Sequence, residues 1–165
     1  MPIQAKHVVL AASALILGAV GVQARLQSSA RPAWLPDPAL TPGMADPALT
    51  DEVIRSPGFT TKKYRDVPES LKKQVYARYG MKPDQAPCPC EVDHDVSLEL
   101  GGSNDIGNLF PQPYTGEWNA HDKDRLEDEL GRLLKQGKIT GDQARAEIVG
   151  DWTVAYVKRF GPKQK

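Results

Sequence analysis

The chain has 165 residues, 40% of them hydrophobic and 25% charged, with 21 basic and 21 acidic side chains and a formal net charge of zero. One domain's worth of ordinary soluble composition excludes a wholly disordered chain, a polytopic membrane protein and a globally basic polyanion binder. The zero hides an asymmetry: Arg55 to Lys82 carries a net +6, and Glu91 to Asp151 a net −8. Such a split fits a polyanion grip followed by a metal-holding stretch, or two solvated faces that partly neutralise each other.

In chain order, Lys6 and His7 precede an apolar run from Val8 to Val22, short of the ~20 residues a spanning helix needs. It ends in Val22-Gln23-Ala24, small at both positions that a signal-peptide cleavage enzyme reads. Residues 1–24 are therefore expected to be a secretory signal, with an uncleaved anchor as the alternative. Cleavage leaves no membrane span and a periplasmic or secreted protein. Residues 25–50, with prolines at 32, 36, 38, 42 and 47, read as an extended linker. The domain proper is expected at 51–165.

Pro68-Glu69-Ser70 opens a helix whose stripe is Leu71, Val75 and Tyr79 and whose end is Gly80. Lys72, Lys73 and Arg78 give it a basic side. Cys88 and Cys90 are the only cysteines. The C-x-C spacing fits a strained disulfide, or half of a zinc site completed by His94 and a later His. Residues 91–100 alternate with a period of two and predict a strand. Gly101 to Asp105 is a dense turn, and a second apolar stretch, Leu109-Phe110, ends at Pro111. A helix from Trp118 to Gln136 follows, with Leu126, Leu130, Leu133 and Leu134 as its core stripe. Thr140-Gly141-Asp142-Gln143 reads as a capping box for one last helix running to Gly161. The class is α+β, with helices on both sides of a small ribbon.

Glu91-Val92-Asp93-His94 carries the chemistry. Aspartate offers a hard oxygen to a divalent ion, and a neutral histidine accepts a proton near pH 7. Regular alternation places His94 on the apolar side with Val92 and Val96, as a core histidine. A catalytic role requires the strand to end or bulge at this pair, and Asp95 is a place to break it.

With Leu98-Glu99-Leu100-Gly101-Gly102-Ser103-Asn104-Asp105, Asn108-Leu109, Pro111-Gln112 and Lys123-Asp124-x-Leu126-Glu127 added, residues 40–158 resemble the HNH endonucleases of the ββα-metal superfamily, in particular small secreted bacterial members. The resemblance implies a ββα-metal core of β-ribbon plus helix within 88–136. It implies metal-assisted hydrolysis of DNA, and possibly RNA, with a 3′-oxygen leaving group; with no recognition motif such as a zinc finger in the sequence, low sequence specificity is expected. It makes His94 the general base and Asp93 a metal ligand. Asn108, grouped with His94 at the catalytic centre, holds the loop and helps orient that base. The remaining ligand lies among Asn119, His121 and Asp124, with His121 and then Asp124 preferred. Lys123 is expected to contact phosphate, as are Lys72 and Lys73 of the basic stretch, and Glu127 to brace the loop. The cofactor expected is Mg2+, with Mn2+, Zn2+ or Ni2+ as alternatives, and the partner is nucleic acid. The competing reading is a non-catalytic HNH-like binding module of the cell envelope.

Overall fold

A computed structural model describes residues 31–82 and 89–163. The signal reading of 1–24, the start of the linker and Cys88 lie outside the described residues. These form an α+β fold of five α-helices and a two-stranded antiparallel sheet: α1 (Asp51–Arg55), α2 (Glu69–Arg78), β1 (Cys90–His94), β2 (Leu109–Pro113), α3 (Ala120–Lys135), α4 (Gly141–Ile148) and α5 (Trp152–Phe160). Among the described residues, no helix is long and apolar enough to cross a membrane.

The core is built on α3. Leu126, Leu130 and Leu134 recur at four-residue spacing, so one stripe of the helix faces inward and all three are buried. Ile54 of α1, Val96 and Leu100 between the strands, Ala144 and Ile148 of α4, and Trp152 and Tyr156 of α5 close around it. Trp118 packs edge-on against both Trp152 and Tyr156.

The residues read as a linker belong to the fold from residue 31 onward. Proline fixes an extended backbone but does not stop it from packing. Trp34 accepts a hydrogen bond from Trp152 Nε1 at 3.0 Å. Thr41 Oγ1 donates to the Leu109 carbonyl at 2.8 Å. Ala45 bridges to Gly102, and Leu49 is buried. The domain therefore begins well before residue 51.

The ribbon is shorter at one end and longer at the other than the sequence predicts. β1 stops at His94, and Leu98–Leu100 form a 3-10 turn in place of a continued strand. Gly101 ends that turn at φ +81°, and a Cβ on Gly102 would fall 1.7 Å from the Val96 carbonyl oxygen, so the chain doubles back where only glycine fits. β2 runs through Pro111 to Pro113, with Val92 opposite Pro111 and Cys90 opposite Pro113. Each strand of a two-stranded sheet has a free edge, and proline is tolerated there. The last predicted helix is two: Val149 and Gly150 break it, Gly150 at φ +89°, and Asp151 Oδ1 accepts from Thr153 N to start α5. The capping box at Thr140 and Gln143 forms as predicted.

Candidate functional site

His94 is the last residue of β1 and is buried, at 2% exposure. Its Nε2 lies 3.1 Å from Asn104 Oδ1. The Asn104 amide is oriented independently: its Nδ2 donates to the Tyr64 carbonyl at 2.7 Å, and its Oδ1 accepts from Asp66 N at 3.3 Å. Oδ1 therefore faces the ring and can only accept. The proton of neutral His94 sits on Nε2, and Nδ1 carries the lone pair. Burial pushes the His94 pKa below its ordinary 6.5, against the opposing pull of the Asn104 bond and Asp93. The ring is neutral near pH 7, and its Nδ1 has no hydrogen-bond partner among the described residues.

Two grooves meet at this ring. A cleft of about 610 Å³ between α2 and the ribbon is lined by Arg65, Lys72, Lys73, Tyr76, Glu91 and His94. A groove of about 330 Å³ is lined by Arg65, Asp93, His94, Glu99, Asp124 and Glu127. The cleft on one side of His94 carries Arg65, Lys72 and Lys73 against Glu69 and Glu91, the groove on the other is mainly acidic, and Arg65 borders both. Lys73 is exposed and Lys72 half-buried, its Nζ 2.6 Å from Glu69 Oε1. Both line the cleft that His94 also borders.

Asn108 spends its whole amide on backbone. Oδ1 accepts from Met44 N and Val96 N, both at 3.0 Å, and Nδ2 donates to the Val96 and Ser103 carbonyls at 2.9 and 2.8 Å. Fully buried, with every donor and acceptor taken, it has nothing left for a substrate. The structure therefore gives Asn108 no group for chemistry and makes it a clamp on the Met44, Val96 and Ser103 backbone.

Lys123 corrects the reading of a phosphate contact more sharply. Its side chain is fully buried. The Nζ donates to Asp93 Oδ2 at 3.0 Å, to the His94 carbonyl at 2.6 Å and to Glu127 Oε1. An ammonium has three protons, and all three are placed. Burial alone would lower the Lys123 pKa, but the Asp93 and Glu127 carboxylates outweigh it and hold the lysine charged. Burial pushes Glu127 up despite Lys123. Glu127 braces Lys123, and through it the end of β1.

Of the three proposed metal ligands, Asp93 and Asp124 line the same groove, and His121 stands outside it beside Asp124. Asp93 is bound to Lys123. Asp124 lines the acidic groove, its pKa raised by burial and by Asp93. His121 is three-quarters exposed, its Nδ1 4.0 Å from Asp124 Oδ2 and its ring 6.2 Å from that of Tyr114. Asn119, the other candidate, precedes α3, and its backbone N–H donates to Asp122 Oδ2 at 3.1 Å. Among the described residues, no group of three or more His, Cys, Asp or Glu side chains is arranged to hold a metal ion. The Lys123 ammonium takes Asp93 Oδ2, the His94 carbonyl and Glu127 Oε1, so these three oxygens do not fit the implied divalent ion. Cys90 is disulfide-bonded, which removes its thiolate from any zinc site.

Asn104 is the site residue that sequence reasoning passed over. Gly-Gly-Ser-Asn-Asp signals a turn, and nothing local shows that the turn's amide reaches back to His94. Comparison of the chain with family models, with curated proteins and with solved structures finds no match to any of them.

Proposed function

We propose that this protein is an exported endonuclease, periplasmic or secreted, that hydrolyses phosphodiester bonds of nucleic acid, DNA in the first instance, with His94 as general base. The observation that carries the reading is the His94 ring, neutral and held by Asn104 with Nδ1 uncommitted, at the head of a cleft lined by Arg65, Lys72 and Lys73. The sequence resemblance to HNH enzymes agrees with it. On this reading β1, β2 and α3 are the ribbon and helix of a ββα core.

The phosphate backbone enters along the basic cleft, where lysine and arginine neutralise it without reading bases. Nδ1 of His94 takes a proton from water, and the oxygen forms a bond to phosphorus. The bond from phosphorus to the 3′-oxygen breaks, and that oxygen takes a proton from solvent. Arg65, bordering both grooves, stabilises the charge that builds on the phosphoryl oxygens. The products are a 5′-phosphate and a 3′-hydroxyl.

The test is nicking of supercoiled plasmid by wild type and His94→Ala, with circular dichroism to match their folds. Nicking by wild type alone is expected. A folded wild type that cuts neither plasmid nor RNA in any buffer overturns the reading in favour of a binding module.

A further inference from the structure

The oxygens around Lys123 are of the kind that hold hard divalent cations: two carboxylates and a backbone carbonyl. Asp93 Oδ2 and the His94 carbonyl come from the end of β1, and Glu127 Oε1 from one turn further along α3. They converge on one point beside the proposed base, and that point is the Lys123 Nζ. The distances of 3.0 and 2.6 Å to Asp93 and His94 suit N–H···O bonds and exceed the 2.0–2.1 Å of a magnesium shell. The lysine side chain is fully buried, and its Nζ also lies 5.9 Å from the centre of the Phe110 ring.

We propose that Lys123 is a built-in cation: its ammonium fills the place a divalent ion would take between Asp93, Glu127 and the His94 carbonyl, so this centre binds no divalent metal. Resting on the nuclease reading above, the same inference makes cleavage at His94 independent of added metal. Lys123 does not touch substrate. It is a positioning residue that holds the His94 backbone and compensates Asp93.

The full chain is titrated with MnCl2, and free Mn2+ is counted by electron paramagnetic resonance. Wild type is expected to show no Asp93-dependent binding up to ~1 mM, the range of weak oxygen-ligand sites. Lys123→Ala is expected to gain one Mn2+ per chain, lost again when Asp93→Asn is added. If Lys123→Ala is unfolded alone, Mn2+ is expected to restore its circular dichroism, as metal binding and folding are linked. One Mn2+ bound by wild type and lost in Asp93→Asn overturns the proposal. So does a Lys123→Ala chain that neither binds Mn2+ nor is refolded by it. Plasmid nicking is then followed in EDTA. Nicking that survives chelation supports the inference, and nicking abolished by it overturns the inference while leaving the nuclease reading intact. No nicking in any buffer strikes only the nuclease reading, and the Mn2+ count still decides the role of Lys123.

Discussion

Asp95 follows the proposed base directly and is fully buried, and neither of its carboxylate oxygens has a hydrogen-bond partner among the described residues. Burial raises its pKa from 3.8 to about 6, while Lys123 and Arg31 pull it down and Asp93 pushes it further up. Below pH 3.8 the carboxyl is neutral in folded and unfolded chains and costs nothing by charge. As pH rises from 3.8 to about 6, the unfolded chain releases the proton first, so the folded chain binds more protons and loses stability. Above about pH 6 the full difference applies, about 3 kcal/mol at about 1.4 kcal/mol per pH unit. Asp95→Asn keeps the shape and removes the charge. Its amide carries its own burial cost, but that cost does not change with pH. Urea denaturation of both proteins from about pH 3.5 to 7.5 isolates the term. The stability of Asp95→Asn minus that of wild type is expected to rise by about 3 kcal/mol across this range, with most of the rise between pH 4 and 6. Parallel curves refute the reasoning, and so does a difference that shrinks with rising pH.

Asn108→Asp replaces two buried donors with an acceptor facing the Val96 and Ser103 carbonyls. At ~1–3 kcal/mol for each stranded group it is expected to cost about 4 kcal/mol, read as a lower urea midpoint. An unchanged midpoint removes Asn108 from its positioning role. The double variant Lys72→Ala, Lys73→Ala is expected to weaken duplex binding and to flatten the slope of log affinity against log salt by about 1–2, at ~0.9 per phosphate contact. An unchanged slope places the nucleic acid elsewhere. For His94, kcat/KM of nicking is expected to rise with pH through a midpoint below 6.5 and then level off, because burial favours the neutral ring. A midpoint above 6.5 contradicts the buried-base assignment.

What was legible in the sequence was local. The leucine stripe of α3 repeats with the helical period, and the Thr140–Gln143 box needs only four residues to be recognised. Residues 31–50 were misread because their packing depends on distant partners: Thr41 on Leu109, Met44 on Asn108, Trp34 on Trp152. Period-two alternation from 91 to 100 was a true pattern with the wrong cause. The Asn108 side chain takes both backbone groups of Val96, as a neighbouring strand would, and so ends the ladder at His94. Lys123 sits on a charged arc that looks solvated on a helical wheel. Only the ribbon folded beside it, with two oxygens offered by Asp93 and His94, makes its burial tolerable.

The same tertiary logic ties the basic segment to the proposed base. Asn104 is held by the Tyr64 carbonyl on one side and by Asp66 N on the other, and Tyr64 is anchored by stacking on Phe59 with ring centres 5.4 Å apart. Arg65 lies between those two backbone contacts. The segment that fixes which nitrogen of His94 is basic therefore also sets a guanidinium at the meeting of the two grooves. A displacement of residues 64–66 is expected to shift the Asn104 amide at His94 Nε2 and the Arg65 guanidinium together. That coupling explains why a turn amide ten residues after His94 and a basic loop thirty residues before it belong to one site, although neither stands out as such along the chain.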